Sequence, residues 1–370
     1  MPHSLGTVSS WVALLVWPAS AVAQAASADD ARKVSFSGFV TSSYVYATGA
    51  NGDAIPGRLY DRFQGEFYFN AAKLVAELAV PTDRLEAGFR IDALLGQNAQ
   101  FTQAAGFDLG QNGDILQGYV VLNLPTGKDR YLQFKAGKLA TLIGLEVMED
   151  VVNPNFSIGN QFLFLENFTN TGIGVDLKLA AAWDAQLRVF NGWDVVKDNN
   201  EKKSFMGRLA VMPGASTVLA VIGYVGPEQA GNDDNNRYGV EFTLTQKLGS
   251  ATAVWIELDF GKEEAARLDG DDASWWGGGV WLTHDLTGTL GLAVRGDYVG
   301  DKDGARSTGN FLGAQTDLEH NFGSLTATLN WRPVKSLLLR PEIRYDSSNQ
   351  DVFDGDQSQV SFQAAVSYLF

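Results

Sequence analysis

The stretch Gln359-Val360-Ser361-Phe362-Gln363-Ala364-Ala365-Val366-Ser367-Tyr368-Leu369-Phe370 decides the fold. Apolar and polar side chains alternate along it as far as Phe370. Period-2 alternation marks a β-strand whose two faces meet different surroundings. The ends of soluble domains usually fray. A strand that runs into a terminal aromatic residue instead suits the closing strand of a transmembrane β-barrel, and the rest of the chain is consistent with that expectation.

Composition narrows the choices. The chain has 370 residues, no Cys, 40 Gly and 10 Pro, with 43 acidic against 28 basic side chains. Length alone allows two domains, but all-β barrels of this size form one. A net charge of −15 argues against a nucleic-acid partner, which needs a basic face. The absence of Cys removes disulfide and thiolate chemistry. At the N-terminus, Trp11 to Trp17 is a short apolar core, and Ala23-Gln24-Ala25 supplies a small-x-small cleavage pattern. Residues 1–25 are therefore expected to be a cleaved signal peptide and 26–370 the barrel, although residues 1–10 carry no Lys or Arg. The apolar core is too short to span a bilayer; an interfacial anchor is the alternative. Leu209 to Pro227 is uncharged, but Pro213-Gly214-Ala215-Ser216 splits it into two strands.

Alternation recurs along the chain. Val175, Leu177 and Leu179 oppose Asp176 and Lys178. Val254, Ile256, Leu258 and Phe260 oppose Trp255, Glu257 and Asp259. The same pattern holds over 240–245 and 290–295. In a sandwich the apolar face points inward; in a membrane barrel it meets lipid. The connections discriminate. Short turns are expected near 81–83, 125–127, 182–184, 213–214, 248–250, 286–288 and 332–335. Longer polar stretches lie near 47–65, 97–113, 141–168, 195–204, 226–236, 262–273, 300–322 and 348–358. Short and long alternate throughout. The expected fold is therefore an all-β, transmembrane, antiparallel up-and-down barrel of about sixteen strands. Aromatics near strand ends are expected to form two interfacial girdles: Tyr44, Tyr46, Phe67, Tyr68, Tyr131, Trp183, Trp193, Tyr224, Trp275, Trp276, Tyr298, Trp331, Tyr345, Tyr368 and Phe370. Cross-strand packing is the alternative for any one of them.

A barrel this wide leaves an aqueous lumen unless something narrows it. Thr141 to Phe168 is the candidate, being too long for a hairpin connection. It carries Glu146, Glu149, Asp150 and Glu166, and the apolar Phe156, Phe162, Leu163, Phe164 and Leu165. We expect this third loop to fold inward, with its apolar side on the wall. Glu146, Glu149 and Asp150 would then form the acidic side of a constriction; an external cap is the alternative. Parity places Lys73, Arg90, Lys135, Lys178, Arg188 and Arg208 on the lumen side, and Arg90, Lys135, Arg188 and Arg208 are the expected basic side. Opposed charges of this kind set a transverse field that sorts ions and orients dipolar solutes. Nearby Glu77, Asp92 and Asp176 offer local neutralisation instead. Later strands carry Glu241, Glu257, Asp259, Arg295, Asp297, Arg340, Glu342 and Arg344 inward, a mixture that suits a general pore.

Asp-rich tips at 233–234, 269–272, 301–303 and 351–356 resemble no EF-hand loop and read as solvated charge. No metal or cofactor is expected. Catalysis has little to build on. Past the signal the only His are His284 and His320, and neither a nucleophile-elbow Ser nor a His/Cys metal spacing occurs.

The stretch Gly144-Leu145-Glu146, Asn153-Pro154-Asn155-Phe156-Ser157, Asn167-Phe168-Thr169-Asn170-Thr171-Gly172 resembles the G-x-E … NPNYS … PFTHTG signature of the second-type β-barrel porins, an outer-membrane family of Gram-negative bacteria. Phe156, Asn167 and Asn170 replace that signature's Tyr, Pro and His. Phe190 to Asp194 with Asp198-Asn199-Asn200, Tyr224 to Glu228, and Arg340 to Asp346 with Phe353-Asp354-Gly355 are similar to three further elements, in the family's order. The resemblance implies an outer-membrane porin and names no solute. The expected function is passive diffusion of small hydrophilic solutes or ions, with outer-membrane lipid as partner and a homo-oligomer as an option. A plugged barrel working through its external loops is the second reading. An outer-membrane hydrolase using His284 or His320 is the third.

Overall fold

The computed structural model describes residues 33–48, 50, 52–308 and 316–370; the expected signal peptide lies outside them. Sixteen antiparallel strands form one closed barrel. They are β1 (Ser35–Thr48), β2 (Phe67–Leu78), β3 (Glu86–Leu95), β4 (Gly113–Gly127), β5 (Arg130–Ala140), β6 (Thr169–Ala180), β7 (Trp183–Trp193) and β8 (Ser204–Gly214). They continue as β9 (Thr217–Pro227), β10 (Asn236–Leu248), β11 (Thr252–Glu263), β12 (Ala273–Asp285), β13 (Leu290–Asp301), β14 (His320–Val334), β15 (Leu337–Ser348) and β16 (Ser358–Leu369). Two short helices interrupt the connections, α1 (Ala99–Thr102) and α2 (Asn160–Leu165).

Each strand pairs with its sequence neighbours, and β1 pairs with β16. At that seam Phe370 and Gly38 exchange both backbone hydrogen bonds, at 2.9 and 3.1 Å. Closure satisfies every ladder, which is the condition for a sheet surrounded by hydrocarbon. Among the described residues no helix is long and apolar enough to cross a membrane.

Short and long connections alternate, seven against eight. The short turns sit a few residues from where Pro and Gly suggested. Pro125, Pro213 and Pro333 lie in the ends of β4, β8 and β14, and the tight turns follow them. In all three places the ladder register slips beside the proline. Proline has no N–H to give a ladder, so it is accommodated in a bulge at the rim.

The two faces of the wall differ as the alternation requires. Phe134, Leu187, Val221, Phe242, Leu258, Val280 and Phe362 are exposed on the outer face. Thr41, Asp92, Glu241, Arg295, Thr326, Arg344 and Ser367 are buried on the inner one. Tyr44, Tyr46, Phe67, Trp183, Trp276, Tyr298, Trp331, Tyr345, Tyr368 and Phe370 are exposed near strand ends, as interfacial girdles need. Tyr68, Trp193, Tyr224 and Trp275 are buried instead and face inward. Two of them are the sequence neighbours of outward Phe67 and Trp276, so strand parity sends them to the opposite face.

Apolar packing also occurs on the inner side. Phe162, Leu163, Phe164 and Leu165 of α2 join Leu59 and Tyr60 from the β1–β2 connection, Ala99 of α1, Leu94, Trp275, Phe322 and Phe353 in one buried cluster. Gly277 and Gly279 of β12 leave room for it: a Cβ at Gly277 would meet Leu165 Cδ1 at 2.6 Å, and one at Gly279 would meet Gln161 Oε1 at 2.5 Å.

Candidate functional site

The segment 141–168, between β5 and β6, is bonded to side chains of the inner face on β2 and on β10 to β15. Its backbone is received by buried charges. Gly144 N donates to Glu241, at 2.9 and 3.1 Å, and Leu145 N donates to Glu257 at 2.7 Å. Phe156 N and Ser157 N donate to the Glu342 carboxylate at 2.7 and 3.1 Å. Arg340 donates to the carbonyls of Asp150 and Asn153 at 2.6 and 2.7 Å. Arg344 donates to the Ile158 carbonyl at 2.5 Å and to Asn160 Oδ1 at 3.0 Å. A buried irregular segment must find partners for its polar backbone, and the wall supplies them from buried carboxyl and guanidinium groups.

Of the three acids expected on this segment, Glu146 and Glu149 take separate ion-pair partners and Asp150 takes none among the described residues. Glu146 pairs with Arg295 at 2.7 Å and accepts from Trp281 Nε1 at 3.2 Å and Gly159 N at 2.6 Å. Arg295 also pairs with Asp297 at 2.9 Å. Glu149 pairs with Lys73, which holds Asp92 at 2.8 Å as well. Asp150 is buried; desolvation pushes its carboxyl up to about 6 against the pull of Arg340. Tyr60 lies opposite: burial, followed by the charges of Asp150 and Glu149, raises its hydroxyl well above the usual range.

The four bases expected across from these acids are matched on their own wall. Arg90 pairs with Asp92 at 2.7 Å and reaches Glu77 at 3.6 Å. Lys135 and Arg188 share Asp176 at 2.6 and 2.7 Å. Arg208 pairs with Asp184 at 2.9 Å. Among the described residues no ion pair joins Glu146, Glu149 or Asp150 to any of these four. The bases that do receive the segment are Lys73, Arg295, Arg340 and Arg344. Parity marks all four as inward, but nothing local says that they meet residues 141–168. Arg58 of the β1–β2 connection is a further member that strand patterning has no means of finding. It is fully buried and pairs with Asp61 and Asp346, each at 2.7 Å, and Asp346 in turn holds Arg344 at 2.7 Å.

Exposure divides the inner face. Side chains of the Glu146–Arg295–Asp297 group are fully covered. Arg90 and Arg208 keep 13% of their side-chain surface, Asp184 26% and Glu77 36%. Water therefore reaches part of the β2–β8 wall, at Glu77, Arg90, Asp184 and Arg208, although Lys73, Asp92, Lys135 and Arg188 there are buried, while the charged group on β13 is covered.

Two anchor points flank the segment. Asp194, just after β7, accepts from Phe168 N and Thr169 N, both at 2.8 Å. Burial raises its carboxyl to about 6 against those two bonds. Glu166 lies with Glu241 and Glu257 such that one carboxylate oxygen from each is within 4.8 Å of the others, the one grouping of metal-ligating side chains among the described residues. The two histidines are apart from all of this: His284 Nδ1 is bonded to Thr252 Oγ1 at 2.8 Å, and His320 Nδ1 lies 2.9 Å from the Leu318 carbonyl oxygen.

The family model described as Putative beta-barrel porin-2, OmpL-like, matches residues 33–370. No curated protein sequence matches the chain. Among solved structures, the chain is similar to the outer membrane channel DcaP of Acinetobacter baumannii, with a TM-score of 0.62 at 12% identity over 91% of this chain and 97% of that one. It is also similar to an anion-selective porin from Comamonas acidovorans, with a TM-score of 0.62 at 11% identity over 91% and 99% of the two chains. A loop L8 deletion mutant of the Vibrio cholerae outer membrane protein OmpT gives 0.61 at 12% identity over 92% and 100%. At these identities the likeness is one of fold.

Proposed function

Because the chain belongs to the family Putative beta-barrel porin-2, OmpL-like, we propose that it is a diffusion channel of a Gram-negative outer membrane. Small hydrophilic solutes or ions cross it through a lumen narrowed by an inward-folded segment 141–168. The observation that carries this reading is the division of the inner face. The bonds from β10 to β15 hold the segment against one side, and Arg90, Glu77, Asp184 and Arg208 keep contact with water on the other. A path lined by ion-paired side chains of both signs carries no strong single-ion preference and needs no cofactor for downhill transport.

Glu146, Glu149 and Asp150 remain the proposed acidic side of the constriction, and Arg90, Lys135, Arg188 and Arg208 its basic side. All of these charges except Asp150 are tempered by an ion-pair partner, so the transverse field is largely that of opposed ion pairs rather than of bare charges. Planar-bilayer recording tests the proposal: discrete conductance steps are expected, and a folded protein that gives none refutes it. Replacing Glu146 and Glu149 together by Gln leaves Arg295 and Lys73 with less negative charge beside them. The reversal potential under a salt gradient then shifts toward anions. An unchanged potential removes both residues from the pore.

A second reading has its own support. The apolar cluster that joins Leu59, Tyr60, Ala99, α2 and Phe353 ties four connections together inside the ring. If that cluster closes the lumen, the barrel is plugged and its function lies in the external loops; the same recording then shows no steps until segment 141–168 is shortened.

A further inference from the structure

Four buried carboxylates share one patch of wall without an ion pair among the described residues, although Arg208 and Arg306 are charged neighbours of Glu241 and Asp259. Glu166 stands near the end of segment 141–168, Glu241 on β10, and Glu257 and Asp259 on β11. One oxygen from each of Glu166, Glu241 and Glu257 lies within 4.8 Å of the other two. Asp259 faces Glu241 across the ladder and shares the inner face with Glu257 two residues away. None of the four forms an ion pair among the described residues, whereas Asp92, Glu146, Asp176 and Asp297 each have one.

The patch is built, not merely crowded. Gly144 N and Leu145 N hold the Glu241 and Glu257 carboxylates from one side. Gly144 has φ +91°, and a Cβ there would strike the Glu166 carboxylate, so only glycine lets the backbone approach. Four of the remaining oxygens are left without partners. Glu166 Oε2, Glu257 Oε1 and both oxygens of Asp259 are buried and accept no hydrogen bond. A neutral group repeats the pattern. The Tyr224 ring lies over Gly239, two residues from Glu241, and its buried hydroxyl also has no partner. Asp259 and Glu241 are among its charged neighbours.

Ionised carboxylates do not stay buried and unpaired. Either protons or a cation must balance them. We propose that Glu166, Glu241 and Glu257, with Asp259 beside them, bind one hard divalent cation, which clamps the end of segment 141–168 to β10 and β11. The donor set is all oxygen, as a hard cation requires.

The test uses the full folded chain in detergent micelles, stripped with EDTA and then given Ca²⁺ or Tb³⁺ alone. One equivalent of Ca²⁺ is expected to remain after gel filtration in metal-free buffer. The heat-denaturation midpoint rises. Tb³⁺ emission is sensitised by Trp255, which shares the inner face with Glu257. Glu166→Gln and Glu257→Gln each weaken Tb³⁺ binding more than about tenfold. Asp259→Asn serves if either of those fails to fold. Asp269→Asn with Asp272→Asn, on an exposed connection, leaves binding unchanged. A wild-type chain that retains no stoichiometric Ca²⁺ overturns the proposal, as do site variants that bind Tb³⁺ as tightly as wild type; in the first case protons balance the cluster. Metal content is read independently of conductance, so failure here leaves the channel proposal standing, and the reverse.

Discussion

Arg295→Met should cost the barrel about 3 to 5 kcal/mol and loosen segment 141–168. Arg295 has no solvent-exposed side-chain surface. One guanidinium nitrogen donates to Glu146 at 2.7 Å and to the Ser157 carbonyl at 2.6 Å. The other reaches Ser157 Oγ at 3.3 Å and Thr326 Oγ1 at 3.1 Å. Its Nε sits 2.9 Å from Asp297. Methionine keeps the stem's bulk and removes every one of these bonds. Breaking a buried pair by removing one partner costs about 3 to 5 kcal/mol, because the other charge is stranded. Here two carboxylates are stranded, which points to the upper part of the range. Each keeps other donors, Trp281 and Gly159 for Glu146 and Ser324 for Asp297, which pulls the figure back. Glu146→Gln alone removes one charge and leaves Arg295 on Asp297. The double variant should lose less than the sum of the single losses by about 1 to 3 kcal/mol, the coupling expected of residues in direct contact. Urea unfolding from lipid vesicles measures all four proteins, and bilayer recording of the same samples should show noisier steps for Arg295→Met. Strict additivity, or a single loss under about 1 kcal/mol, would mean that Glu146 and Arg295 do not hold one another and that the segment is anchored elsewhere.

Gly277→Val should displace α2 from the wall, since a Cβ at Gly277 already meets Leu165 at 2.6 Å and a branched side chain reaches further. Overpacking of this kind costs about 1 to 3 kcal/mol, and limited proteolysis should cut within 141–168 where the wild type resists; equal resistance counts against the contact. Asp194 gives a pH signature. Its folded carboxyl titrates near 6, above the ordinary value near 3.9, so between about pH 4 and pH 6 the folded state binds more protons than the unfolded. Stability therefore falls as pH rises through that window. Asp194→Asn keeps an acceptor for Phe168 N and Thr169 N and has no proton to lose. Amide-exchange protection at those two residues, corrected for intrinsic rate, should decline from pH 4 to pH 6 in the wild type and stay level in the variant.

What the chain discloses on reading is local, and what it withholds is long-range. The outer face of each strand is legible because lipid imposes one demand on every second residue. Val254, Ile256, Leu258 and Phe260 meet that demand without regard to any particular partner. Strand number follows, because turns and loops alternate in length along the chain itself. The inner face obeys parity equally well, and Arg295, Arg340, Glu342 and Arg344 can be placed on it by counting. Their partners cannot be found in this way. Arg90 finds Asp92 two residues on, and Arg188 finds Asp176 on the adjoining strand, so the neutralisation of that wall was available as an alternative reading. Glu146 instead reaches Arg295, 149 residues away, and Arg58 reaches Asp346, 288 residues away. Parity settles a face, not an azimuth around the ring. Only the seam between β1 and β16 brings Lys73 of β2 and Arg344 of β15 close enough to grip the same segment. The anchoring of segment 141–168 is for that reason a product of closure, and substitutions at the seam should disturb that segment before they disturb any strand distant from it.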